Sequence, residues 1–100
     1  MPGIVWLVHT REAIKNGENI YRIGYTFNDI EGRIDSFPDK CFVVYCGAVR
    51  KHKTPYQVCQ ELKKVLSKRF KNVSEYGPLH FQGDMTTMID AIEKIVQRFH

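Results

Sequence analysis

The tetrad Tyr21-Arg22-Ile23-Gly24 closes an apolar stretch. An arginine follows at position 33, and a glutamate, Glu61, stands in a later amphipathic segment. A phenol, a guanidinium and a carboxylate in this order suit phosphodiester chemistry. Attack of water on a phosphodiester needs a bound cation to screen charge, a positive group on the phosphate and a proton acceptor. Each residue also has an ordinary alternative. Tyr21 can be a half-buried packing residue of a strand, Arg33 can face solvent, and Glu61 can pair with Lys64 or Lys68 along a helix.

The elements that must position these groups follow from hydrophobic patterning. Residues 3–9 are apolar at both parities, as in a central strand covered on two faces. Residues 10–19 read as a connecting loop in which Asn16-Gly17 is a turn signal. Residues 20–26 form a second strand, antiparallel to the first because the link is short. Asn28 or Asp29 caps a short helix with Ile30, Ile34 and Phe37 on its core side, stopped by Pro38. Residues 41–49 are a third strand rich in β-formers. Thr54 and Pro55 open a helix running to about Lys71, with Val58, Leu62, Val65, Leu66 and Phe70 as its apolar stripe. Glu61 falls at the edge of that stripe. Leu79-His80-Phe81 is a short extended piece, and Asp84 caps a last helix with Met85, Met88, Ile89, Ile92, Ile95, Val96 and Phe99 in helical period. The order predicts an α+β fold, a small antiparallel three-stranded sheet flanked by helices (β-β-α-β-α-α).

The 100 residues make one domain, 1–100, and the apolar content of 43% is ordinary for a globular chain. No apolar run approaches the ~20 residues of a membrane span, and Met1-Pro2-Gly3 leads directly into a strand without a leader pattern. The chain reads as intracellular, in cytoplasm or nucleus, not secreted and not membrane-bound. Cys41, Cys46 and Cys59 are odd in number and lack a Cys-x-x-Cys spacing, as expected of reduced thiols. His9, His52, His80 and His100 are too scattered for a zinc site.

Net charge is +4, and it is unevenly placed. Between positions 50 and 71 stand Arg50, Lys51, Lys53, Lys63, Lys64, Lys68, Arg69 and Lys71, with Glu61 the lone acid. Such a stripe attracts polyanions through counterion release, or is simply a solvated helix face.

At Gly3-Ile4-Val5-Trp6, Tyr21-Arg22-Ile23-Gly24, Arg33 and Glu61 the chain resembles the GIY-YIG nuclease superfamily, above all its branch from phages and large DNA viruses, often described as a DNA-binding domain. Phe81-Gln82-Gly83-Asp84 before the last helix adds to the likeness, which covers nearly the whole chain. The resemblance implies metal-dependent hydrolysis of DNA. By it, Glu61 holds Mg²⁺ or Mn²⁺, Arg33 steadies the scissile phosphate and Tyr21 is the second signature tyrosine. Near Arg33 and a metal the Tyr21 phenol is expected to titrate below its usual ~10, so that Tyr21 or Tyr25 orients or deprotonates water. The first signature tyrosine is replaced by Trp6, whose indole has one N–H donor and no titratable hydroxyl. Phe37 stands four residues after Arg33, where many relatives carry Tyr or His. Arg33 lies nine residues beyond Gly24, where eight is commoner.

Three functions follow as expectations. The first is a DNA endonuclease domain using Tyr21, Arg33 and Glu61, with Arg50, Lys51, Lys53, Lys64, Lys68 and Lys71 tracking the backbone. The second is a catalytically inactive nucleic-acid-binding domain, favoured by Trp6 and Phe37. The third is a viral accessory protein that keeps the fold as an interaction scaffold.

Overall fold

The computed structural model describes residues 3–27 and 42–100. Among them the elements are β1 (Gly3–His9), α1 (Arg11–Asn16), β2 (Ile20–Phe27), β3 (Phe42–Val49), α2 (Pro55–Arg69), β4 (Lys71–Asn72), β5 (His80–Gln82), α3 (Met85–Val96) and a closing 3₁₀ turn (Gln97–Phe99). The helix expected around Ile30, Ile34 and Phe37, together with Arg33, lies outside the described residues.

The architecture is α+β. The two-sided apolarity of β1 has its expected consequence, since β1 is hydrogen-bonded antiparallel to both β2 and β3. Val5, Leu7 and Val8 are fully buried and Trp6 nearly so. The sheet has five strands, in the order β3-β1-β2-β5-β4, not the three expected. The two added strands hold two and three residues, too short for a period-two pattern to mark them in sequence. Pairing with Tyr21 and Arg22 is what makes His80–Gln82 a strand.

One sheet face carries the core. Val5, Leu7, Tyr21, Ile23, Val49 and Phe81 meet Val58, Cys59, Leu62 and Leu66 of α2 and Met88, Ala91, Ile92, Ile95 and Val96 of α3. Burying an aliphatic side chain of this kind stabilises the fold by about 1.5–3 kcal/mol, so the stripes of α2 and α3 hold both helices on the sheet. Cys59 belongs to this core, and burial pushes its thiol up to about 11. It behaves as a small apolar residue and not as a nucleophile.

The segment expected as a loop contains a helix. Thr10 caps α1 by accepting from the Ala13 N–H, and Gly17, at φ 67°, ends it with its own N–H on the carbonyls of Ala13 and Ile14. Asn16-Gly17 is therefore a helix stop and not a hairpin turn, because Gly takes the left-handed conformation that closes a helix. Thr54 and Gln57 form a reciprocal capping box, with Pro55 in the first turn of α2. The helix ends at Arg69, short of the expected Lys71. Phe70 is extended and its ring lies against Gly83, which turns the chain into β4.

The register Trp6↔Gly24 puts the indole over a residue without a side chain. A Cβ at position 24 would overlap the six-membered ring of Trp6, and the Arg22 guanidinium stands 5.7 Å from the same ring system. Gly24→Ala is expected to lower stability by about 1–3 kcal/mol in urea unfolding. Trp6→Phe on the Gly24→Ala background should restore part of that loss, whereas strictly additive losses would contradict the overlap.

Candidate nucleic-acid interface

Alternation along β2 decides where the signature tyrosine points. Tyr21, Ile23 and Tyr25 share the face covered by α2 and α3, whereas Arg22 and Gly24 share the opposite face with Trp6. Position 6 and Tyr21 therefore do not look into one site. Tyr21 is 5% exposed. Its ring lies 4.7 Å from that of His9, and its backbone pairs with Phe81 beside the start of α3. Burial, and then the Asp84 carboxylate, raise its pKa above the ordinary tyrosine value. The expected downward shift depends on Arg33, which lies outside the described residues, and on a metal ion. Among the described residues desolvation disfavours the phenolate, and the Asp84 charge acts in the same direction.

Glu61 lies on α2, at the partly exposed edge of its core stripe. Its Oε2 accepts from the Lys53 Nζ at 2.8 Å, and that ammonium lies 5.3 Å from the Phe99 ring, just beyond the end of α3. Tyr21 faces the core, Glu61 is engaged by Lys53 at the edge of α2, and Arg33 lies outside the described residues. The expected partners Lys64 and Lys68 are not those that Glu61 takes. The residue that reaches it comes from the basic link before the helix. Glu61 is engaged by the Lys53 ammonium, and no step is derived through a Mg²⁺ or Mn²⁺ ion. Among the described residues no three His, Cys, Asp or Glu side chains gather closely enough to hold a metal ion.

The structure does assemble cations on the outer side of α2. Gln60, Lys63, Lys64, Ser67 and Lys68 recur at helical spacing, line a shallow cleft of about 440 Å³ and project away from the core stripe. Ser67 donates to the Lys63 carbonyl at 2.6 Å, which keeps its hydroxyl against the helix. Lys63 and Ser67 were not singled out by the sequence, although the 60-63-64-67-68 spacing marks them as one face. Arg50 and Lys51 are exposed in the link before α2, and their backbone N–H groups are held by the Phe99 carbonyl at 2.7 and 2.9 Å. Lys53 is engaged with Glu61. Lys71, expected on the helix, is instead exposed on the edge strand β4, paired with Gln82.

Comparison of the chain with protein-family models, with curated proteins and with solved structures returned no match. Among the described residues no helix is long and apolar enough to cross a membrane.

The environment of Tyr21 is directly measurable. Alkaline difference absorbance of the wild type against Tyr21→Phe should place the missing tyrosinate step above pH 10, the ordinary tyrosine value. A step below pH 10 would mean that a positive group reaches the phenol and that this description of the site is wrong.

Proposed function

We propose that this chain is a nucleic-acid-binding domain that holds its ligand by the phosphate backbone on the outer face of α2 and leaves it intact. The observation that carries the reading is the cleft of Lys63, Lys64 and Lys68 with Gln60 and Ser67 between them. From Gln60 to Lys68 is eight helical rises, about 12 Å along the axis. Three ammonium groups on one helix present a cationic surface on a scaffold that needs no ordering of a flexible loop. Neutralising phosphates with such a row releases condensed counterions, which drives binding without regard to sequence. Arg50 and Lys51 extend the positive surface at the amino-terminal end of α2. Gln60 and Ser67 add neutral polar groups to the cationic row.

The GIY-YIG resemblance supplies a lineage for this reading, and the chemistry of the individual groups argues against hydrolysis. Tyr21 is buried with a raised pKa, the position-6 tyrosine is an indole on the opposite sheet face, and Glu61 is neutralised by a lysine. Glu61 in its ion pair lowers the local positive potential and occupies Lys53. It acts against the binding surface and not as part of a hydrolytic site.

The test is a salt titration of oligonucleotide affinity by fluorescence anisotropy. Lys63→Ala, Lys64→Ala and Lys68→Ala should each weaken binding on all sequences alike and reduce the log–log salt slope by about one. Glu61→Gln should strengthen binding, because it removes a negative charge and releases Lys53, while changing stability by less than ~1 kcal/mol as expected of a partly exposed pair. Unchanged slopes in the lysine variants would remove α2 as the contact surface. Plasmid nicking that needs Mg²⁺ or Mn²⁺ and is lost in Glu61→Gln would replace this reading with a catalytic one.

A further inference from the structure

The lysine face of α2 does not end with charge. Tyr56, in the first turn of the helix, is a large side chain 48% exposed to solvent. Its position relative to the cations follows from helical geometry. Residues 56, 60, 63 and 67 are spaced by four, three and four, which places them in one row along the helix surface, with Lys64 and Lys68 one step to the side. The Tyr56 ring therefore heads the same row that contains Gln60, Lys63 and Ser67. It is also braced. Tyr25, packed at the edge of the core, meets it edge to face with ring centroids 5.4 Å apart and planes at 74°. This contact limits the motion of an exposed ring and leaves roughly half of its surface open.

A ring in line with ammonium groups is a poor match for duplex DNA, whose bases are already stacked on one another, and a good match for unpaired bases. Every base has a π-face, so a single aromatic platform is sequence-tolerant, whereas cations alongside hold the backbone. From Tyr56 to Lys68 the row covers about 18 Å, the axial length of about five stacked nucleotides at 3.4 Å per phosphate in one strand. From these observations we infer that the ligand of α2 is single-stranded nucleic acid, with one base stacked on Tyr56 and the following phosphates running past Lys63 and Lys64 to Lys68. The inference rests on the nucleic-acid reading above and narrows it to a substrate class. The aromatic ring supplies the preference for unpaired bases, and the lysines supply most of the affinity and all of the salt dependence on this face.

The experiment compares a fluorescein-labelled oligothymidylate with a duplex of equal length, for the wild type, Tyr56→Leu, Tyr56→Phe and Lys64→Ala, each checked for an unchanged thermal transition. Leucine keeps apolar bulk and removes the π-face, and phenylalanine keeps the π-face and removes the hydroxyl. One base–aromatic stack corresponds to about a five- to 150-fold change in affinity. Tyr56→Leu should therefore weaken single-strand binding by at least about five-fold, leave duplex binding unchanged and leave the salt slope unchanged, because no charge is lost. Tyr56→Phe should bind the single strand like the wild type. Equal weakening on both ligands, or none on either, would overturn the stacking inference. If Lys64→Ala still reduced the salt slope in that case, the broader nucleic-acid reading would stand. Failure of Lys64→Ala to change the slope would instead remove the α2 surface and the inference together.

Discussion

The indole of Trp6 fills the space that any side chain at position 24 would need, and the rest of the sheet inherits its facing from that contact. Strand side chains alternate with a period of two, so a slip of one residue between β1 and β2 would send every inward group outward. With Trp6 set opposite Gly24, Tyr21, Ile23 and Tyr25 turn toward α2 and α3, whereas Arg22 turns toward the indole. The glycine of the tetrad is thus required by packing. Its presence does not by itself signify a phosphate site.

That constraint separates the polar chemistry of the molecule into two corners joined by α3. At the start of α3, Tyr21 lies in a desolvated environment beside the charge of Asp84, whose carboxylate also caps the helix by accepting from the Thr87 N–H at 2.9 Å. The backbone and hydroxyl hydrogen bonds from Thr87 hold Asp84 below the usual carboxylate range. It therefore stays ionised and adds to burial in raising the pKa of the nearby phenol. Beyond the end of α3, the Phe99 carbonyl ties down the link that carries Arg50 and Lys51, and Lys53 lies over the Phe99 ring as it reaches Glu61. Among the described residues neither corner combines an activated proton acceptor with a cation-binding carboxylate. On the solvent side of α2, Lys63, Lys64 and Lys68 line an open cleft.

Much of this was legible in the sequence. The capping residues Thr54 and Asp84, most of the apolar stripes of α2 and α3 and the central place of β1 rest on local signals that the structure reproduces, whereas Met85, expected in the core stripe of α3, is exposed in its first turn. What was not legible depends on contacts between distant segments. β5 exists because β2 offers it an edge. The helix α1 has six residues and a single buried one, Ala13, which gives no readable period. The partner of Glu61 lies eight positions earlier in a loop, outside the three- and four-residue spacings by which helix pairs are recognised. Tyr25 and Tyr56 meet only because β2 and α2 pack together. The resemblance to the nuclease superfamily brought out Tyr21 and Glu61 as positions, and their surroundings, a buried phenol and a carboxylate held by Lys53, come from contacts between distant segments.

The central claim is that ligand is held on the solvent side of α2 and not in a pocket around Tyr21. The most direct measurement is an amide chemical-shift titration of the isotopically labelled protein with a short oligonucleotide. The account predicts that the moving resonances concentrate at Tyr56, Gln60, Lys63, Lys64, Ser67 and Lys68, with Tyr21, Phe81 and Asp84 stationary. Shifts centred on Tyr21 and Asp84 with a silent α2 would contradict it.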